Sequence, residues 1–588
     1  MAESLPPRAA VRYRVRLAPR QHRLLVRLVI ARPQAEQTLS LPVWIPGSYL
    51  VREFAGQLLR ISAGQGGQPV AVAQTGKNCW QVRADPRRAL RVDYEVHAHD
   101  PSVRAAWLDA QRGFFNGASV CLRAHGQQDA AHELTMHAPP DLPGWSLATA
   151  LLPVRAGRNG FGRYRAFDYD ELADNPVEMG VFWSGQFQAR GVPHRLVVAG
   201  APPSFDGPRL LADTRKICQA AIAFWHGARG RPPHGRYLFL LNALHEGYGG
   251  LEHRHGAALQ CARKDLPRLG EAGPPSEGYA GLLGLISHEY FHLWNVKRLR
   301  PAELARYDYE RENHTRLLWF FEGFTSYYDD LLLLRAGLID AAAYFKLLAT
   351  AINQVLQAPG RRVQSVAQAS FEAWTKHYRP DANTPNATIS YYTKGALVAL
   401  CVDLTLRRQG RGTLDDVMRA LWRRCNGGPM TEADLLAVLR AQSGRSWARE
   451  IAAWVHGTGE LPLEKLLRAH GVQVLQEAAP LAQRLGLRVD ERAGILVKTV
   501  LSGSAAEAAG MAPGDEWLGI ELPSGGAWRL MKLDDLPLYA GPARRLTAVV
   551  ARERRLLRLL LALPPGEATA WRLLPPAKAA GAPSWPAC

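Results

Sequence analysis

The chain has 588 residues, too many for one hydrophobic core, and its length implies roughly three or four domains. Its apolar share of 47% and charged share of 21% are ordinary for a soluble globular protein. The formal net charge of +19 raises nucleic-acid or membrane-surface binding. The basic residues are spread along the chain, however, and none of their runs interleaves with aromatics, so a solvated, arginine-rich surface is expected and no nucleic-acid partner. Seven scattered cysteines with no CxxC pair point to reduced thiols. The first residues lack the apolar core of a signal peptide. No stretch reaches the roughly 20 apolar residues of a membrane span. A cytoplasmic protein with no membrane association is the expectation.

The first ~180 residues read as β-rich. Val11 to Leu17, Leu24 to Ile30 and Arg91 to His99 alternate with period two, and Gly and Pro punctuate them. His97 and His99 share a strand face there, which permits a metal pair, though ordinary packed histidines are the commoner outcome. Helical signals dominate from about Asp213. Helices are predicted over Thr214 to Trp225, Gly278 to Val296, Arg316 to Ala336, Ala341 to Gln357, Tyr392 to Arg408, Thr413 to Cys425 and Thr431 to Gln442, with a buried strand over Arg236 to Asn242. Pro359 to Ser390 is polar and irregular. From near Leu463, short strands alternate with turns at Leu485 to Val489, Gly494 to Val500 and Glu516 to Ile520. Leu546 to Arg552 and Leu556 to Leu563 read as a hairpin, with an amphipathic basic helix as the alternative for the second piece. After Pro564 the composition predicts a frayed tail.

The chemistry concentrates in His288-Glu289-Tyr290-Phe291-His292. Histidines four apart lie on one helix face, one turn apart, and can grip a single ion. Neutral imidazole suits zinc. Glu289, turned away from that face, is placed to act as a general base toward water. Zinc makes that role effective, since it lowers the pKa of a bound water from 15.7 to about 7. A catalytic zinc needs a third protein ligand and one open position. Glu322, 30 residues beyond His292, is the candidate. It sits in the aromatic stretch Trp319 to Tyr328, a costly place for a lone carboxylate unless it binds a metal.

These residues resemble the M61 glycyl aminopeptidase family, gluzincins related to the M1 aminopeptidases. The resemblance rests on His288 to Arg298, on Trp319 to Tyr328, on Gly249-Gly250-Leu251-Glu252-His253, and on Tyr391-Tyr392-Thr393-Lys394-Gly395. Trp44-Ile45-Pro46-Gly47-Ser48-Tyr49 with Arg52 resembles the family's N-terminal signature. The segment Gly503 to Asp515, with its Pro-Gly-Asp turn, resembles a bacterial PDZ domain, and Leu485-Gly486-Leu487 is similar to a carboxylate-capturing loop.

The resemblance implies a multidomain α+β chain. It would have a β-rich domain over residues 1–180, a thermolysin-like, mainly helical catalytic domain over 181–460, a PDZ-like domain over 461–566 and a flexible tail over 567–588. It implies one zinc ion per chain on His288, His292 and Glu322, and catalysis by Glu289 and Tyr392. It implies an edge strand at Gly249 and Gly250 that pairs with the substrate backbone. Glu252 would bind the α-amine. Tyr391 stands beside Tyr392 and could exchange roles with it. The implied substrates are peptides with a free N-terminus, glycine or alanine foremost, and a further peptide is the implied ligand of the PDZ-like region. An endopeptidase and a non-catalytic peptide-binding protein are the rival expectations.

Overall fold

The computed structural model describes residues 5–227, 230–566, 568–576 and 585–586. Its residues divide into two compact units. One comprises Met1–Asn313, Tyr328–Ile339 and Met418–Thr431, and the other His314–Tyr327, Asp340–Val417 and Glu432–Cys588.

The alternating N-terminal segments form strands as their pattern requires. β1 (Val11–Ala18), β2 (Arg23–Ile30), β3 (Leu90–His97) and β4 (His132–Met136) are the centre of an eight-stranded sheet. β2 pairs antiparallel with β1 and β3, while β4 runs parallel to β1. Val11, Tyr13 and Val15 are fully buried, and the arginines between them face outward. His97 and His99 stack with ring centroids 6.1 Å apart, and His22 joins them at 4.5 Å from His99. These three imidazoles pack as rings, and His22 Nδ1 is taken by the Leu108 carbonyl at 2.6 Å. Among the described residues, only His288, His292 and Glu322 stand close enough for a shared ion.

A five-stranded sheet follows. β5 (Phe182–Ala189) pairs antiparallel with β6 (Val192–Ala199), the 20-residue helix α1 (Gly207–His226) intervenes, and β7 (Tyr237–Leu244) runs parallel to β6. β8 (Gly249–His253) and β9 (Gly256–Ala262) close it as a hairpin. The spatial order β5-β6-β7-β9-β8 leaves β8 at an edge. Asp206 caps α1 by accepting from the Arg209 amide at 3.0 Å.

Helix α2 (Glu277–Phe291) starts on Ser276, which accepts from the Tyr279 amide. It ends five residues before the expected Val296. Val296 takes φ +120°, a conformation no α-helix admits and one that is costly for a β-branched residue. α3 (Leu318–Arg335), α4 (Ala341–Gln357) and α5 (Thr393–Arg408) follow close to their predicted bounds. The expected irregular stretch after Pro359 instead contains short helices, including a π-helical turn at Ala373–His377. No helix among the described residues is long and apolar enough to cross a membrane.

α6 (Leu463–Ala469) and β10 (Gln473–Ala478) lead into a six-stranded sheet. Its spine is β11 (Leu487–Asp490), β12 (Ile495–Val500), β13 (Glu516–Glu521), β14 (Arg545–Arg552) and β15 (Arg555–Ala562), with Ala527–Arg529 paired to β13. β14 and β15 are a hairpin, so the basic-helix alternative does not occur. Asp515 of the Pro-Gly-Asp turn is fully buried and accepts two bonds from Arg552, at 2.7 and 2.9 Å. The expected flexible tail is corrected over Ala568–Leu574, which forms β16 and pairs antiparallel with β10. Asn353 of α4 donates to the Trp571 carbonyl and accepts from its amide, both at 2.8 Å, which pins that strand. Trp585 is also buried, against Tyr344 and Phe345. Residues 577–584 and 587–588 of the expected tail lie outside the described residues.

Candidate metal centre and peptide site

His288 lies in the last turn of α2, and His292 caps its C-terminus in helical conformation. The two rings stand 4.7 Å apart, nearly perpendicular. The chain then turns so that His292 Nδ1 meets the Asn295 carbonyl at 2.7 Å. His288 Nδ1 meets Asp329 Oδ2 at 3.0 Å. An imidazole that donates through Nδ1 presents its Nε2 lone pair outward, and that second partner both orients the ring and raises its basicity.

Glu322 stands on α3, 2% exposed among the fully buried Trp319, Phe320 and Phe321. One ligand atom from each of His288, His292 and Glu322 lies within 4.8 Å of the other two. Two imidazoles with committed Nδ1 atoms and one buried carboxylate fit a divalent cation of the zinc type. Asp329 was not singled out from sequence. Its signal was available, because it follows Glu322 by seven residues, two turns of the same helix.

On β8, a side chain added at Gly250 would stand 1.9 Å from Glu289 Oε1, so the Glu289 carboxylate lies directly over the bare backbone of the sheet edge. Arg104 donates to the Gly250 carbonyl at 3.1 Å and also borders Gly249. Tyr237 donates to the Glu289 carbonyl at 3.3 Å. Glu252 is 5% exposed. Its carboxylate presses on Gly47, where a Cβ would meet both oxygens at 2.5–2.6 Å. Gly47 has φ +92°, so glycine is required there both for conformation and for space. The sequence marked this turn as a signature, but its contact with Glu252 appears only in the folded chain.

Behind Glu252 lies a paired network. Lys297 Nζ donates to Asp174 at 2.8 Å, and His253 Nδ1 meets the same carboxylate at 3.1 Å. Burial would raise the Asp174 carboxyl, but Lys297 and His253 more than reverse this and hold it below the usual carboxylate range. Burial opposes the Lys297 charge too, yet Asp174, with Tyr307 and Glu252, keeps the ammonium above its ordinary value.

Tyr392 precedes α5. Burial first, then the charge of Glu322, holds its phenol well above the ordinary value, so it stays protonated. Tyr378 Oη lies 3.4 Å from Tyr392 Oη, and His377 stacks on Tyr392 with centroids 5.4 Å apart and meets Tyr391 at a tilt, 4.7 Å away. Neither His377 nor Tyr378 was predicted from sequence. A π-helical turn of the kind that carries them is a recurrent mark of functional sites. Helices α3 and α5 meet at Gly323 and Gly395, where a Cβ on Gly323 would strike the Gly395 backbone at 2.5 Å. That close approach explains the glycine after Lys394, and it brings the start of α5 toward Glu322.

A β-rich N-terminal domain, a helical region with a His/His/Glu donor set and an adjoining bare sheet edge define a peptidase. The model of the M61 glycyl aminopeptidase matches residues 281–398, and that of the peptidase M61 N-terminal domain matches residues 12–181. The crystal structure of an aminopeptidase N family protein from Idiomarina loihiensis is similar at TM-score 0.90 with 34% identity, covering 96% of this chain and 98% of that one. The chain belongs to the M61 glycyl aminopeptidase family. The aminopeptidase A of Legionella pneumophila, solved with aspartic acid, overlays at TM-score 0.49 with 13% identity, covering 83% of this chain and 55% of that one, a likeness too slight to carry an argument. No curated protein matches.

Proposed function

We propose that the protein is a zinc-dependent aminopeptidase that removes N-terminal residues, glycine and alanine foremost, from peptides. One juxtaposition carries the reading: the Glu289 carboxylate lies over Gly250 on a sheet edge that continues into Glu252. An extended peptide adds to that edge as a further strand. Gly249 and Gly250 present no side chain, so the peptide backbone approaches closely. Glu252 receives the α-ammonium in a charge-assisted hydrogen bond. Glu289 takes the proton of the attacking water and delivers it to the leaving amine. Tyr392, held protonated, donates to the oxyanion, with Tyr391 packed beside it. His288, His292 and Glu322 would hold the zinc ion, which when bound supplies a Lewis acid that makes water far more acidic.

Residues 1–180, 181–460 and 461–566 are proposed as the β-rich, catalytic and PDZ-like domains. The short helix Ala505–Ala508, the buried Asp515 turn and the left-handed Gly486 support the last, with a peptide as its ligand. The cysteines among the described residues form no disulfide, which favours a reducing, cytoplasmic setting.

Glu289→Gln is expected to bind as much zinc as the wild type and melt at the same temperature, while turnover falls by about 10²–10⁴. Unchanged turnover would refute the mechanism. Free-amine Gly and Ala substrates should be cleaved and their N-acetylated counterparts spared. The opposite preference would make the enzyme an endopeptidase.

A further inference from the structure

A second polar centre lies at the start of α5, apart from the residues given roles above. Lys394 is only 2% exposed. Among the described residues its ammonium makes no hydrogen bond or ion pair. Burial lowers its pKa, a more distant Glu460 acts against that, and Arg361 reinforces it. Glu460 is already engaged, bonded to Arg361 at 3.0 Å.

Lys394 lines a cavity of about 570 Å³, within the size range of small-molecule sites. Four cations, Arg361, Lys394, Lys465 and Arg468, share the lining with two carboxylates, Glu460 and Glu464. Each carboxylate holds an arginine, since Glu464 pairs with Arg468 at 2.9 Å. Two lysines are left over, and only Lys394 is buried. The rest of the lining includes the apolar Val355, Leu356, Leu461 and Leu463, and Trp571 from β16. An ammonium on a buried side chain whose nearest carboxylate is already engaged by an arginine is costly, and an anion brought into the cavity relieves that cost.

We propose that this cavity binds an apolar carboxylate, its charged end on Lys394 and its body against Leu461 and Trp571. Two sources share that chemistry, a free aliphatic or aryl-alkyl acid and the C-terminal carboxylate of a short peptide.

The test is calorimetric titration of the full-length, zinc-loaded protein with indole-3-propionate, with its uncharged amide, and with N-acetyl-Leu-Trp as a blocked peptide bearing a free C-terminus. The acid should bind with one equivalent per chain, and the amide at least about tenfold more weakly, as expected for loss of a charged hydrogen bond. Preference for the blocked peptide assigns the peptide source, and preference for the free acid the small-molecule source. Lys394→Met should abolish binding and raise the melting temperature of the ligand-free protein, because it removes an unpaired buried charge. Trp571→Leu, which leaves Lys394 in place, should weaken indole-3-propionate more than hexanoate. Equal binding of acid and amide, or acid binding at wild-type strength in Lys394→Met, would overturn the proposal. So would an unaltered preference between the two acids in Trp571→Leu.

Discussion

Lys297 and Lys394 are buried to the same 2%, yet the protein treats their charges in opposite ways. Lys297 holds Asp174 at 2.8 Å, and His253 braces the same carboxylate. Lys394 has only the distant, already engaged Glu460. Desolvation opposes both ammonium groups, so the partner decides the outcome: Lys297 is driven above its ordinary pKa and Lys394 below it. Each lysine also neighbours a residue of the peptide site. Lys297 lies close enough to Glu252 to feel its charge, and Lys394 follows Tyr392 by two positions. A paired charge of this kind holds a site in shape, whereas an unpaired one leaves room for a ligand.

The comparison breaks most visibly at Lys297. Lys297→Met leaves the partly buried Asp174 without its cation, at an expected cost of about 2–3 kcal/mol, below that of a fully buried pair and read as a lower urea midpoint. An unchanged midpoint would mean the pair does not support its surroundings. Beside the other lysine, Tyr392→Phe is expected to lower kcat by about 10²–10³ with little change in KM, measured on Gly and Ala substrates.

The Lys297 pair also predicts a pH signature. Because the folded Asp174 pKa lies below its unfolded value of about 3.9, its contribution is complete above that pH and fades as pH falls through the folded value. The stability gap between wild type and Lys297→Met should therefore be widest near neutrality and narrow as pH falls, first because acid relieves the variant's Asp174, whose carboxyl burial raises once Lys297 is gone, and below about pH 4 because wild-type Asp174 also protonates. Urea unfolding across that range checks this, and a gap that closed near neutrality would implicate another group.

Gly47→Ala tests whether Glu252 depends on its seat. A methyl group there displaces the carboxylate, so KM for free-amine substrates should rise about tenfold, the scale of a charged hydrogen bond. The smallest effect sharpens the contrast at Lys394, where replacement by Met should stabilise the ligand-free chain by about 1 kcal/mol, opposite in sign to the Lys297 result.

Much of the fold was legible before the structure. Ala341–Gln357 is helical over its predicted span, and β1 and β2 match their alternating segments, because local periodicity records which face meets the core. The misreadings share a cause. The helix expected to reach Val296 stops at Phe291, where His292 takes the Asn295 carbonyl and Val296 adopts a positive φ. Ala568–Leu574 looked like the start of a loose tail but pairs with Gln473–Ala478, nearly a hundred residues earlier, and no local pattern announces such a partner.

From the sequence alone came the kinds of donor and one of their spacings, His288 and His292 four apart on a helix. Residue type and a 3.6-residue period are sufficient for that. Only the tertiary structure brought Glu322 to them, set Asp329 behind His288, laid Glu289 over Gly250 and seated Glu252 on Gly47. It alone separated two equally buried lysines into a paired charge and an open one. Each of those outcomes depends on long-range packing, which places groups far apart in the chain within a few ångströms and so fixes both their charge state and what they can bind.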